Sequence, residues 1–136
     1  MDTPKALRGR LHHVELYVSD LENTLRFWDW FLGWLGYTEF QRWDNGVSFI
    51  LDDTYIVFVQ TTEKHLEPKY HRYRTGLNHL AFHAASKEEV DALTRLLGEQ
   101  GIPVLYLDRH PHAGGEESYA VFFEDPDRIK IEFVAP

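Results

Sequence analysis

The chain contains no cysteine. Disulfide bonds and thiolate catalysis are therefore excluded, and a reducing, cytoplasmic setting is expected. No apolar run approaches the roughly 18 residues that cross a bilayer as a helix. Residues 1–10 are polar, carry Lys5, Arg8 and Arg10, and lack the apolar segment of a signal peptide; they read as a loose tail. Positive charge is also scarce. Lys and Arg total 14 against 22 Asp and Glu, for a net charge of −8. That balance argues against nucleic acid or an anionic membrane as partner. Basic residues gather once, in Lys69-Tyr70-His71-Arg72-Tyr73-Arg74, which reads as a solvated connector, with an anion-binding loop as the alternative.

What is present suits one folded domain. The 136 residues are 43% hydrophobic and 15% aromatic, enough to build a real core. Two stretches echo one another. In Leu11-His12-His13-Val14-Glu15-Leu16-Tyr17-Val18, strand alternation puts Val14, Leu16 and Val18 on one face and His13, Glu15 and Tyr17 on the other. In residues 77–84, Leu80, Phe82 and Ala84 share one face and His79, Ala81 and His83 the other.

The surroundings repeat as well. Ser19 to Glu22 and Ser86 to Glu89 are capping boxes that open helices. Gly36 and Gly101 are the expected helix stops. Three strands are expected after each helix: residues 37–43, 47–51 and 55–60, then 102–108, 118–124 and 129–135. Leu21, Leu25, Trp28, Leu32 and Leu35 form the expected core stripe of the first helix. Phe27, Trp30 and Trp34 lie off it and suggest a subunit contact. The order βαβββ thus occurs twice, in module one (about 11–60) and module two (about 76–136), joined by a linker at 61–75.

The last strand places Lys130, Glu132 and Val134 on one face. A mid-strand carboxylate on an inner face is costly unless it has a partner. With His13 and His79 it makes a set of two imidazoles and one carboxylate drawn from three strands. Such a set leaves coordination positions open and suits Fe, Mn, Co, Ni or Zn as divalent ions.

The stretches 11–21, Leu77-Asn78-His79-Leu80-Ala81-Phe82, and Phe123-Glu124-Asp125-Pro126-Asp127-Arg128-Ile129-Lys130-Ile131-Glu132 resemble the vicinal oxygen chelate superfamily. That group contains glyoxalase I, extradiol dioxygenases, methylmalonyl-CoA epimerase and the fosfomycin- and bleomycin-resistance proteins. The resemblance covers residues 11–135. It implies an α+β fold, two βαβββ modules curling into an eight-stranded cup around a divalent metal. It implies His13, His79 and Glu132 as metal ligands, Glu132 also as a catalytic residue, and His12 facing away from the site.

Departures from single families narrow the chemistry. Glyoxalase I usually has a fourth ligand, at the position of Val57 here. Extradiol dioxygenases usually carry a Tyr where this chain has Phe122. The Asp-Pro-Asp turn usually ends in Gly, whereas here it ends in Arg128, which must bear strain if φ is positive there. Glu15, Tyr17, His83 and Phe122 are candidate substrate-binding residues. His110 and His112 lie on a glycine-containing loop that reads as an exposed loop, with closure over the site as the alternative. The expected function is metal-dependent lyase or isomerase chemistry of the glyoxalase type on a small oxygenated substrate. Extradiol-type dioxygenation and non-catalytic small-molecule binding are the alternatives, and a homodimer is the expected assembly.

Overall fold

The structure, a computed structural model, describes residues 5–136. Residues 1–4 of the expected tail lie outside the described residues, while Lys5–Leu7 forms one 3₁₀ turn. The chain divides between Pro68 and Lys69 into two compact units, a boundary inside the expected linker.

In the first unit β1 (His13–Val18) leads into α1 (Leu21–Leu35), then β2 (Thr38–Trp43), β3 (Gly46–Leu51) and β4 (Thr54–Gln60). The sheet order is β1-β4-β3-β2, with β1 parallel to β4 and the other pairs antiparallel. Parallel pairing needs a long crossover, which α1 with β2 and β3 supplies. Along β1, His13, Glu15 and Tyr17 are exposed, whereas Val14 and Leu16 are half-buried and Val18 is buried.

The helix begins one residue later than its capping box predicts. Asp20 is the cap, its carboxylate accepting the Asn23 N–H at 3.2 Å. Gln60 at the end of β4 explains the shift. Its amide donates to the Ser19 carbonyl at 2.9 Å and accepts from the Leu21 N–H at 2.8 Å, holding Ser19 as the last residue of the incoming turn. Gly36 ends the helix at φ 105, a left-handed conformation that Gly adopts at little cost.

The buried line of α1 is Thr24, Phe27, Trp28, Phe31 and Leu32, rotated from the leucine stripe read in the sequence. Phe27 therefore belongs to the core and not to a second outward face. Aromatic volume decides this. The Trp28 ring packs 5.0 Å from Phe58 and 5.9 Å from Phe31, and rings of that size take the centre while Leu21 and Leu25 flank it. Trp34 stays 39% exposed, as an outward face requires.

The second unit runs β5 (His79–His83), α2 (Lys87–Glu99), β6 (Ala120–Glu124) and β7 (Lys130–Val134). Its sheet order is β5-β7-β6, with β5 parallel to β7 and β6 antiparallel to it. Ser86 caps α2 by accepting the Glu89 N–H at 3.2 Å, and the Glu89 carboxylate accepts the Ala85 N–H at 3.0 Å. Val90, Leu93 and Leu97 of α2 are buried, as are Val121, Phe123, Ile131 and Phe133 of the sheet.

The strand expected at 102–108 does not form, so seven strands stand among the described residues where eight were expected. Pro103 has no N–H to give a ladder, and Tyr106 turns to φ 57, out of the extended region. One backbone bond survives, from the Leu105 N–H to the Phe122 carbonyl at 2.8 Å. The mixed α+β class with two modules built on a βα unit holds.

Candidate metal centre

The β5–β7 register aligns His79 with Lys130 and Ala81 with Glu132, and β6 places Phe122 across from Glu132. Side chains on paired positions share a sheet face. One face of the second unit therefore carries His79, His83, Glu132 and Lys130, as alternation predicted, and Phe122 joins them from β6.

His79 Nε2 lies 3.1 Å from Glu132 Oε1. The other ring nitrogen, Nδ1, lies 2.8 Å from Asn78 Oδ1. Nδ1 can donate to that amide oxygen, and the short Nε2–Oε1 contact needs a proton or a cation between its two atoms. A divalent ion answers that need, and an outer hydrogen bond from the ligating imidazole to a neighbouring oxygen is what such ions favour. The pair is also sheltered: the side chains of His79 and Glu132 are 33% and 14% exposed. The donor chemistry of these residues thus fits a divalent metal.

Phe122 is buried, its ring centre 6.2 Å from that of His79 in an edge-on arrangement. It carries no hydroxyl where a dioxygenase would place one. Beyond it stand Tyr106 and Lys130. The Tyr106 ring meets Phe122 at 5.6 Å, and Lys130 Nζ donates to Tyr106 Oη at 3.2 Å. Lys130 was visible in the sequence as a member of the Glu132 face. Tyr106 had no such signal, because it lies in a segment read as a strand.

The loop between α2 and β6 approaches the same place. A Cβ built on Gly114 would stand 3.6 Å from Glu132 Oε2 and 3.0 Å from Ser118 Oγ, so backbone lies close against the carboxylate. His112 Nδ1 holds the loop at the Ser118 carbonyl, 2.8 Å away, and Tyr119 donates to Asp91 at 2.6 Å. That bond to Asp91 raises the Tyr119 pKa. Burial lowers the His110 pKa, with Asp91 opposing and His112 assisting. The Gly114 backbone, not either histidine, is what the loop brings to Glu132.

His13 sits on β1 of the first unit, exposed, with Tyr55 stacked on its ring at 4.6 Å. His12 sets its Nδ1 2.9 Å from His13 Nδ1. That contact engages one nitrogen of His13 and leaves Nε2 for ligation. Glu15 and Tyr17 follow it on the exposed face, Tyr17 at 69% exposure. Among the described residues, no three His, Cys, Asp or Glu side chains stand together as a ready metal cage. The assembled part of the set is the His79–Glu132 pair.

The basic cluster has a structural task. The Arg72 guanidinium bonds the Glu124 carboxylate and donates to the Arg128 carbonyl at 3.2 Å, while the Tyr70 hydroxyl donates to the Leu77 carbonyl at 2.8 Å. Burial disfavours the charged form of Arg72, but the Glu124 bond and the negative groups nearby outweigh it, and the net shift is upward. Arg128 adopts φ 66, so the strain expected at this turn position is present. The buried Asp125 carboxylate shapes the turn by accepting the N–H groups of Asp127 and Ile129, both at 2.9 Å.

Comparison with known proteins bears on this site. Residues 10–133 match the model of the Glyoxalase/Bleomycin resistance protein/Dioxygenase superfamily. The Bacillus subtilis protein YqjT is 62% identical over 93% of this chain and 98% of its own. The crystal structure of a candidate glyoxalase from Bacillus halodurans is 59% identical, with a TM-score of 0.94 over 96% of this chain and 98% of that one. The fosfomycin resistance protein FosX from Listeria monocytogenes is 25% identical, with a TM-score of 0.68 over 93% of this chain and 92% of that one. A single-residue variant of FosX, 23% identical to this chain, was crystallised with Mn(II) and 1S,2S-dihydroxypropylphosphonic acid. No helix among the described residues is long and apolar enough to cross a membrane.

Proposed function

For a chain that belongs to the Glyoxalase/Bleomycin resistance protein/Dioxygenase superfamily, we propose a divalent-metal-dependent enzyme that performs glyoxalase-like lyase or isomerase chemistry on a small oxygenated substrate. The observation that carries this reading is the His79 Nε2 to Glu132 Oε1 separation of 3.1 Å, with Nδ1 already committed to Asn78. His79 and Glu132 would hold the ion, with His13 as third ligand, supplied by the same chain or by a second copy. The ion, one of Fe, Mn, Co, Ni or Zn, would act as a Lewis acid toward adjacent substrate oxygens.

The protein's own groups divide the remaining work. Glu132 keeps Oε1 toward His79 and Oε2 toward the Gly114 backbone, and we assign it the proton transfer. Phe122 lines the floor beside His79 and makes that part of the site apolar. Glu15, Tyr17 and His83 would contact the substrate from the same strand faces as the ligating histidines. Apolar side chains on the first unit support a homodimer. Tyr17, Phe40 and Trp43 are 69%, 47% and 44% exposed, and burying such a set favours association. The second reading, extradiol dioxygenation, is disfavoured by Phe122.

Metal content decides the matter. Purified protein loaded in turn with Fe, Mn, Co, Ni and Zn should retain at least one ion near one equivalent per chain. His79→Ala should lose it. Retention of none, or equal affinity in His79→Ala, defeats the reading and favours a metal-free binding module.

A further inference from the structure

The face that carries His79 and Glu132 continues past Phe122 to an unneutralised ammonium. Lys130 stands two positions before Glu132 on the same side of β7, directly across from His79 in the register. It is half-buried, with Nζ 5.8 Å from the Phe122 ring centre and 5.4 Å from that of Tyr106. A partly desolvated ammonium ordinarily finds a carboxylate. The one paired with it across the sheet is Glu124. Glu124, however, is taken by Arg72 and by Arg128, whose Nε lies 3.4 Å from it. Among the described residues Lys130 forms no salt bridge, and its hydrogen bond goes to the Tyr106 hydroxyl at 3.2 Å.

Tyr106 is held at a cost. Its φ of 57 is in the left-handed region, which a bulky side chain occupies only where the surroundings insist, and such strain gathers at functional positions. A second cation approaches the same ring: the Arg109 guanidinium lies 5.1 Å from its centre. In a chain of net charge −8, Lys130 and Arg109 therefore set two cations against one phenol ring, with Phe122 between that ring and His79.

We propose that Lys130 and Tyr106 form an anion-binding arm of the site, which selects a small oxygenated substrate bearing a carboxylate or a phosphonate group. The inference rests on the reading of His79 and Glu132 as the reactive end. The ammonium supplies charge, the phenol supplies a directed O–H donor, and Phe122 spaces the anion from the ligand pair. A charge-assisted bond in such a sheltered place is stronger than one in water.

Calorimetric titration of the full-length protein, after metal loading and with metal content measured on the same samples, tests this. The probes are 3-hydroxypropionate, 2-hydroxyethylphosphonate and neutral propane-1,3-diol. At least one anionic probe should bind about tenfold or more tightly than the diol, and the stronger of the two identifies the group. Lys130→Gln should abolish that preference, Lys130→Arg should retain much of it, and Tyr106→Phe should weaken it while leaving the fold intact by circular dichroism. Equal binding of anion and diol by the native protein, or an undiminished preference in Lys130→Gln, overturns the arm. Metal retained without an anion preference sinks the arm alone. An anion preference that Lys130→Gln removes, in protein that retains no metal, sinks the metal reading and leaves the arm standing.

Discussion

Val57 and Glu132 hold the same register position in two different sheets. Val57 pairs with Glu15, the third residue of β1, and Glu132 pairs with Ala81, the third residue of β5. The histidines agree with this frame, His13 pairing with Tyr55 and His79 with Lys130. At these positions the repeat matches in backbone pairing and differs in chemistry. Val57 is 3% exposed and has no lone pair to offer, so one module brings a carboxylate and the other brings packing. That inequality supports a three-residue ligand set over the four-residue set of glyoxalase I.

Asn78 is the first test of how the site is oriented. Its side-chain oxygen lies 2.8 Å from His79 Nδ1 and orients the ring. Outer-shell partners of this kind typically contribute roughly 10- to 100-fold in metal affinity. Asn78→Ala should weaken metal binding by that order in a chelator competition, with the stoichiometry of saturated protein unchanged. Identical competition curves for native and variant protein would remove Asn78 from the argument.

Arg128 carries φ 66 at a turn position that suits glycine. A non-glycine residue there costs about 1–2 kcal/mol, and the ion pair of Arg128 with Glu124 is exposed on the arginine side and recovers little. Arg128→Gly should raise stability by about 0.5–1 kcal/mol, less than the strain because glycine loses more entropy on folding. Arg128→Ala, which keeps the strain and loses the pair, should not. Urea melts compare the two, and a stabilised alanine variant contradicts the account.

Phe133 is fully buried on β7, paired with Phe82 on one side and Val121 on the other. Phe133→Ala should cost about 3–5 kcal/mol through lost burial and the cavity left behind. A loss under about 1 kcal/mol in chemical denaturation would show that the second unit has no specific core at this point.

His110 gives the pH dependence a direction. Burial lowers its pKa below the ordinary 6.5, while the unfolded chain keeps the ordinary value. Between those two values the unfolded state binds more protons, so stability rises with pH there. Stability is fully present above about pH 6.5 and falls as pH drops from there through the folded-state pKa. His110→Gln should flatten that part of the stability profile, read from urea midpoints across the range. An unchanged slope assigns the acid loss to other groups.

Much of this was visible in residue order. Alternation in β1 and β7 sorted the more exposed face from the core face, since a strand's period is set by its own backbone. Ser86 with Glu89 marked a helix start because the bonds involved are local. Phe31, by contrast, was missing from the expected stripe and Phe27 was assigned outward. The line of α1 that goes inward depends on which rings fit against Phe58 on β4, and that is a contact between residues distant in sequence. The same holds for the expected strand at 102–108. Its apolar residues suit a strand, but Pro103 and the turn at Tyr106 prevent the ladder.

Periodicity and caps, being consequences of neighbouring residues, were enough to specify the repeated modules, the histidine positions and the carboxylate of the last strand. The direction of His79 Nε2 toward Glu132, the Gly114 backbone against that carboxylate, and the Lys130–Tyr106 bond beyond Phe122 needed the folded chain. Each joins groups far apart along the sequence. Their energies come from desolvation and close packing, which exist only after the strands have paired.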